Sequence, residues 1–298
     1  MSTDTTTTTA TTTTNTMPPK MDYYDIAMAP PVAQTACSVN PWKARLALNF
    51  KAADYATTWV SLPDIPSVRG SLGVPPCRRH ATGEEYPTLP VLVDHSTGTK
   101  TGDSFDIAVY LHETYPDAGA GNLFPAQDDP SLPESKKVTY TFGQELAPWM
   151  PPLSDPHPDP RYAAYARFNR EVDLAFTTHV GLMGQFIPLD SEASRQVFLD
   201  RAGLTSWEQI GLPGDVRKEM LGKFNETLAD MARQLFKNSE EGPWIAGDRA
   251  TYMDLMLGGW LMMASRTMPK EEWEAIKTGN GGVFGRLFDA LQKWTEVK

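Results

Sequence analysis

Cysteine is scarce in this chain: there are two, Cys37 and Cys77, far apart in sequence. They make neither a C-x-x-C redox pair nor a disulfide framework, which suits a reducing compartment. The five histidines are scattered singly. No His/Cys/Asp cluster has metal-ligand spacing, so no metal is expected. Lys and Arg never cluster densely, and the formal net charge of -10 opposes a polyanionic partner, so nucleic acid is excluded as a partner. Long hydrophobic runs are missing too. The most apolar stretch, Leu255 to Ala264, is too short for a bilayer and adjoins Asp254, so no membrane span is expected.

The first nineteen residues include eleven threonines and have neither a basic start nor an apolar leader core. Too little apolar surface is present there to offset the entropy of ordering, so residues 1–19 read as a disordered tail. The other residues suffice for two modest domains or one large one, and a hydrophobic content of 41 % is adequate for a packed core.

The chain is organised around Tyr86 to Leu111. Val91, Leu92 and Val93 read as a short buried strand, His95 to Gly98 as a turn, and the residues near Thr99 as a second strand. Asp103 and Ser104 then precede a largely apolar helix whose free N–H groups either residue can cap. Pro90 opens the first of these strands, a position where a cis peptide bond tends to be retained. Upstream, Tyr23 to Met28 reads as a strand, and a helix begins with Asn40 as N-cap and Pro41 in its first turn. Tyr55 to Val60 reads as another strand, with a short helix over Pro63 to Ser71. Arg78, Arg79 and His80 lie in a polar excursion that is either solvated or functional.

After turn-rich sequence, with a boundary near Asn122 to Asp129, the chain reads as helical. Helices are expected over Pro133–Met150, Pro160–Gly184, Ser191–Ala202, Pro213–Lys237, Thr251–Ser265, Pro269–Lys277 and Val283–Val297. Thr251 and Asp254 have capping-box spacing ahead of the most apolar of these.

Leu89-Pro90 before the strand, and Asp103-Ser104 at the helix start, resemble the second half of the glutathione S-transferase N-terminal domain. The Thr251/Asp254 box after Gly247-Asp248 resembles the one that nucleates that family's C-terminal core helix. Ser38, Asn40, Trp42 and Lys43 match the S-x-N-x-W-K pattern of the fungal A-class, etherase-like, serine-type members, and the likeness runs from Asp22 to Lys298.

The resemblance implies an α/β plus all-α architecture: a thioredoxin-like glutathione-binding domain over residues 22–121, then a helical bundle over 130–298. It implies Ser38 as the catalytic residue, with Asn40, Lys43, Leu89, Pro90, Asp103 and Ser104 holding glutathione. Arg78, Arg79 and His80 are candidates for its glycine carboxylate. A cleft between the domains, walled by Met28, Tyr140, Trp149 and Met150, is expected to take a hydrophobic electrophile. Cytoplasmic location and a homodimer are compatible with the family. Conjugation, ether cleavage and glutathione-dependent trans-cis isomerisation of a secondary metabolite all fit such a site. A non-catalytic ligand-binding or regulatory module is the rival from another class. Cys37, beside Ser38, raises thiol transfer as a further possibility, although the motif register selects Ser38.

Overall fold

The computed structural model describes residues 20–79, 83–127, 137–143 and 157–298. Strand β1 (Met21–Ile26) leads through a single turn, α1 (Val32–Thr35), into helix α2 (Val39–Phe50), then β2 (Tyr55–Val60) and α3 (Ile65–Leu72). An antiparallel pair of two-residue strands, β3 (Arg78–Arg79) and β4 (Glu85–Tyr86), precedes β5 (Val91–Asp94), β6 (Thr99–Thr101) and α4 (Ser104–Thr114). The sheet order is β2-β1-β5-β6, with β1 parallel to β2 and antiparallel to β5. This is the thioredoxin-like arrangement, and the peptide bond between Leu89 and Pro90 is cis.

The first strand lies two residues earlier than its sequence suggests. Its ladder with β2 ends where Ile26 faces Val60. Met28 is then taken across the molecule, bridging to Leu189, and the Ala29 N–H donates to Pro188 O at 2.7 Å. Asp25, inside β1, is buried against Arg45 of α2 at 2.6 Å. The Arg45 guanidinium also lies against the rings of Tyr23, Trp42, Tyr55 and Trp59, so this buried charge is paired and boxed in by aromatics.

The second half is helical: α5 (Ala163–Thr177), α6 (Gly181–Gly184), α7 (Glu192–Ala202), α8 (Gly214–Leu235), α9 (Tyr252–Thr267), α10 (Lys270–Thr278) and α11 (Val283–Leu291). The single helix expected over Pro160–Gly184 is two. α5 ends at Thr177-Thr178, where the Thr178 hydroxyl bonds back to Leu174 O at 2.9 Å and β-branched residues disfavour continuation. The helix expected over Pro133–Met150 is contradicted within its described part, residues 137–143, which are not helical. There the N–H groups of Thr141 and Phe142 are taken by the side chains of Gln234 and Glu171, at 3.2 and 2.8 Å, instead of by a helical ladder.

Helix α9 is buried continuously from Tyr252 to Ala264 and packs on α2, α5 and α11. Its capping box forms as the sequence suggests: Asp254 accepts from Thr251 N at 2.7 Å and also from Ile245 N at 2.8 Å. Close crossing over α2 depends on Gly259, where a Cβ would come within 2.9 Å of the Val39 carbonyl. A helix of the second domain thus presses on the residue next to Ser38.

Candidate active site

Ser38, not Asn40, is the N-cap of α2. Its backbone is extended, its carbonyl accepts from Trp42 N at 3.1 Å, and its side chain makes no capping bond. The hydroxyl of a capping-type residue is therefore left for another partner. The turn before it is clamped at the Ala36 carbonyl, which accepts from Trp42 Nε1 at 2.7 Å and from the Arg266 guanidinium of α9. Arg266 also lies 4.2 Å from the Trp42 ring centroid. The start of α2 is thereby held from both domains.

Ser38 opens into a cavity of about 320 Å³ between the domains, within the size range of small-ligand sites. Ile26, Met28, Cys37, Leu62, Tyr86 and Thr88 come from the first domain, and Ile187, Leu189, Phe198, Arg201, Ala202 and Met263 from the second. Most of these are apolar, so the site suits an apolar molecule beside a hydroxyl.

Leu89 and Pro90 are buried directly after Thr88. Asp103 is the N-cap of α4, and its carboxylate accepts from Phe105 N at 2.7 Å and Asp106 N at 3.4 Å. Ser104 is buried, and its carbonyl accepts from Tyr252 of α9 at 2.9 Å. Asp103 and Ser104 do not line the cavity but stand beyond Thr88. Buried Arg69 of α3 connects the two places: Nη1 donates to Thr88 O and, at 3.0 Å, to Gly102 O, while Nη2 holds Pro75 O. A side chain at Gly102 would collide with Arg69 and Val74, so the backbone approach there requires glycine.

Two cysteines flank this arrangement. The Cys37 thiol lines the cavity but is buried, which pushes its pKa up to about 12, with Arg266 opposing. A thiol so protonated is a poor nucleophile at neutral pH. The Cys77 thiol is likewise raised by burial, to about 11, and donates to Gly102 O at 3.0 Å.

Three expectations change. Lys43 is fully buried, and its ammonium is spent on Asp173 at 2.6 Å and Asn169 at 2.8 Å, both on α5, so it joins the domains and does not reach the cavity. Burial pulls its pKa below the usual lysine value, and Asp173 opposes that shift. Tyr140 is buried away from the cavity, with α8 and α5 supplying the nearby Asp230 and Glu171. Among the described residues the far wall comes from the segment around Leu189, α7 and Met263. Trp149 and Met150 lie outside the described residues. Met28 and Ser38 do line the cavity, whereas Asn40 stands half-buried in the first turn of α2 and is not among the lining residues. Arg69, Arg201 and Met263 were missed, because no local pattern marks a residue that meets the site only through tertiary packing. Among the described residues no group of three or more His, Cys, Asp or Glu could hold a metal ion, and no helix is long and apolar enough to cross a membrane.

Comparison with known proteins adds independent support. Residues 37–114 match the glutathione S-transferase N-terminal domain and residues 200–294 the glutathione S-transferase C-terminal domain, together more than half of the chain. The chain is 26 % identical over 289 residues to the glutathione S-transferase-like protein ustS of Aspergillus flavus, covering 93 % of this chain and 91 % of that one. It resembles a Ceriporiopsis subvermispora glutathione S-transferase solved with glutathione at 27 % identity and a TM-score of 0.72, over 93 % of this chain and 98 % of that one. The transferase GSTFuA3 of Phanerochaete chrysosporium shares the fold at 23 % identity and the same TM-score of 0.72, over 95 % of this chain and 99 % of that one. Two family domains in order, the cis-proline strand and the capped core helix converge on one conclusion: the chain belongs to the glutathione S-transferase superfamily.

Proposed function

We propose that this chain is a glutathione transferase in which the Ser38 hydroxyl donates to the glutathione sulfur and stabilises its thiolate for attack on a hydrophobic electrophile in the interdomain cavity. The observation that carries this reading is the Ser38 hydroxyl, left unspent at the head of α2 and facing a mostly apolar cavity built by both domains. Glutathione is the thiol: its cysteinyl backbone would pair with Leu89 before the cis-proline, and its γ-glutamyl end would meet the start of α4. There the positive end of the α4 dipole would attract a carboxylate, and Asp103, whose carboxylate caps Phe105 N and Asp106 N, would supply a counter-charge for the ammonium.

The demand on Ser38 is modest. A hydrogen bond to a charged group contributes roughly 1.5–3 kcal/mol, and a helix N-terminus about 0.3–1 kcal/mol. Together these can bring a thiol from about 8.5 toward roughly 6–7. The sulfur's proton then goes to water, the thiolate bonds to the electrophilic carbon, and the leaving group departs.

The test is retention on immobilised glutathione followed by turnover of 1-chloro-2,4-dinitrobenzene, with chloride released as the thioether forms. Ser38→Ala should lower kcat by about 10- to 100-fold and raise the apparent thiol pKa of the complex, with glutathione affinity little changed. An unshifted pH profile in Ser38→Ala, with activity abolished in Cys37→Ala, overturns the assignment in favour of thiol transfer. With an activated olefin as the second substrate, glutathione consumed in proportion to adduct identifies conjugation, and a changed olefin geometry with glutathione returned identifies isomerisation.

A further inference from the structure

One residue of the cavity is out of keeping with its lining. Arg201, at the C-terminal end of α7, is the single charged side chain among the thirteen described lining residues, and Phe198, Ile187, Leu189 and Met263 share its domain's wall. It forms no salt bridge among the described residues. One guanidinium nitrogen donates to Pro87 O at 3.3 Å, and the guanidinium carbon lies 5.3 Å from the Tyr86 ring centroid. An arginine has five N–H donors in a planar fork, so most of them remain uncommitted. Tyr86 and the Pro87 carbonyl fix the plane of the group, which is the pre-organisation that a two-point carboxylate contact exploits. Burial also pulls its pKa below the ordinary arginine value, the mark of a cation partly stripped of water with no carboxylate among the described residues in return.

Resting on the transferase reading above, we propose that Arg201 is the specificity determinant of the electrophile site, selecting an apolar second substrate that carries a carboxylate. The apolar body lies against Met28, Leu189 and Phe198 while its carboxylate is held by the guanidinium fork. The same chemistry could be presented by the glycine carboxylate of glutathione, since Arg201 touches Pro87 one residue before Thr88. The electrophile is favoured because Arg201 itself and the apolar Ile187, Leu189, Phe198 and Met263 beside it belong to the second domain, whereas the segments expected to hold glutathione belong to the first.

The two sources are separated by binding, without any need for turnover. 3,5-Dinitrobenzoate and its methyl ester, which have no leaving group, are titrated by calorimetry into the protein saturated with S-methylglutathione, or into the free protein if that analogue does not bind. The acid should bind about tenfold or more tightly than the ester. In Arg201→Gln the preference should vanish while the dissociation constant of glutathione stays the same, and Arg201→Lys should retain part of the preference. Unchanged melting temperatures show that the variants are folded. No acid preference in the wild type, or a preference that survives in Arg201→Gln, overturns the proposal. A loss of glutathione affinity in Arg201→Gln with the acid preference intact assigns the fork to the glycine carboxylate and equally overturns it. Absence of chlorodinitrobenzene turnover refutes the transferase reading but leaves this binding comparison fully decisive.

Discussion

At the scale of single residues, buried polar groups do different work according to their partners. His179, just beyond α5, is buried, its Nε2 lies 3.0 Å from Thr227 Oγ1 of α8, and its ring packs on Phe224. Burial, reinforced by Lys223, lowers its pKa to about 4. In the unfolded chain a histidine titrates near 6.5, so between these values the unfolded state takes up a proton that the folded state refuses. His179 is therefore harmless above about pH 6.5 and costs stability as pH falls toward 4, by up to about 3 kcal/mol, with no further loss below. Urea melts of wild type and His179→Gln across this window should show a shallower acid decline in the variant. Parallel curves would mean that His179 does not carry the proton linkage.

At the scale of elements, the expected glutathione-holding edge is an assembly of loops tied by one side chain. Arg69 reaches from α3 to the carbonyls of Thr88 and Gly102, joining the residue before Leu89-Pro90 to the residue before Asp103. Its fork spans carbonyls on separate loops, which a lysine ammonium cannot reproduce. Arg69→Ala and Arg69→Lys should both weaken glutathione binding, by about tenfold or more, with a smaller effect on kcat at saturation. Calorimetry with glutathione checks this, and a lysine variant of full affinity would reduce Arg69 to a surface-loop anchor. Much of each element was legible beforehand. The strand-turn-helix from Val91 through α4 and the box at Thr251 rest on contacts within a few residues. The extended segment at 137–143 was not legible, because its N–H partners, Glu171 and Gln234, lie on α5 and α8.

At the scale of the whole molecule, the two domains are joined by a buried charge pair. Lys43 of α2 meets Asp173 of α5 at 2.6 Å, and Asp173 also accepts from Trp260 Nε1 of α9 at 2.7 Å. Removing one member strands the other charge in a dry interior. Asp173→Leu should cost about 3–5 kcal/mol, whereas Lys43→Met combined with Asp173→Leu should recover most of that loss. Chemical denaturation of both variants decides it, and a single variant within about 1 kcal/mol of wild type would show that the pair contributes little.

By itself the sequence determined parts of this protein that are local: the strand, turn and helix from Val91 through α4, where Pro90 enters its strand, and that Asp103 and Thr251 stand at helix starts. A cap, a turn or an amphipathic face is decided by residues three or four positions apart, so composition and spacing carry it. Only the tertiary structure decided what those residues face. It set Met28 against Leu189, buried Lys43 on Asp173 and brought Arg201 beside Tyr86, pairings between segments more than one hundred residues apart. Their reason is the burial of α9 between the domains, which fixes how the second domain lies across the first and hence which side chains wall the cavity.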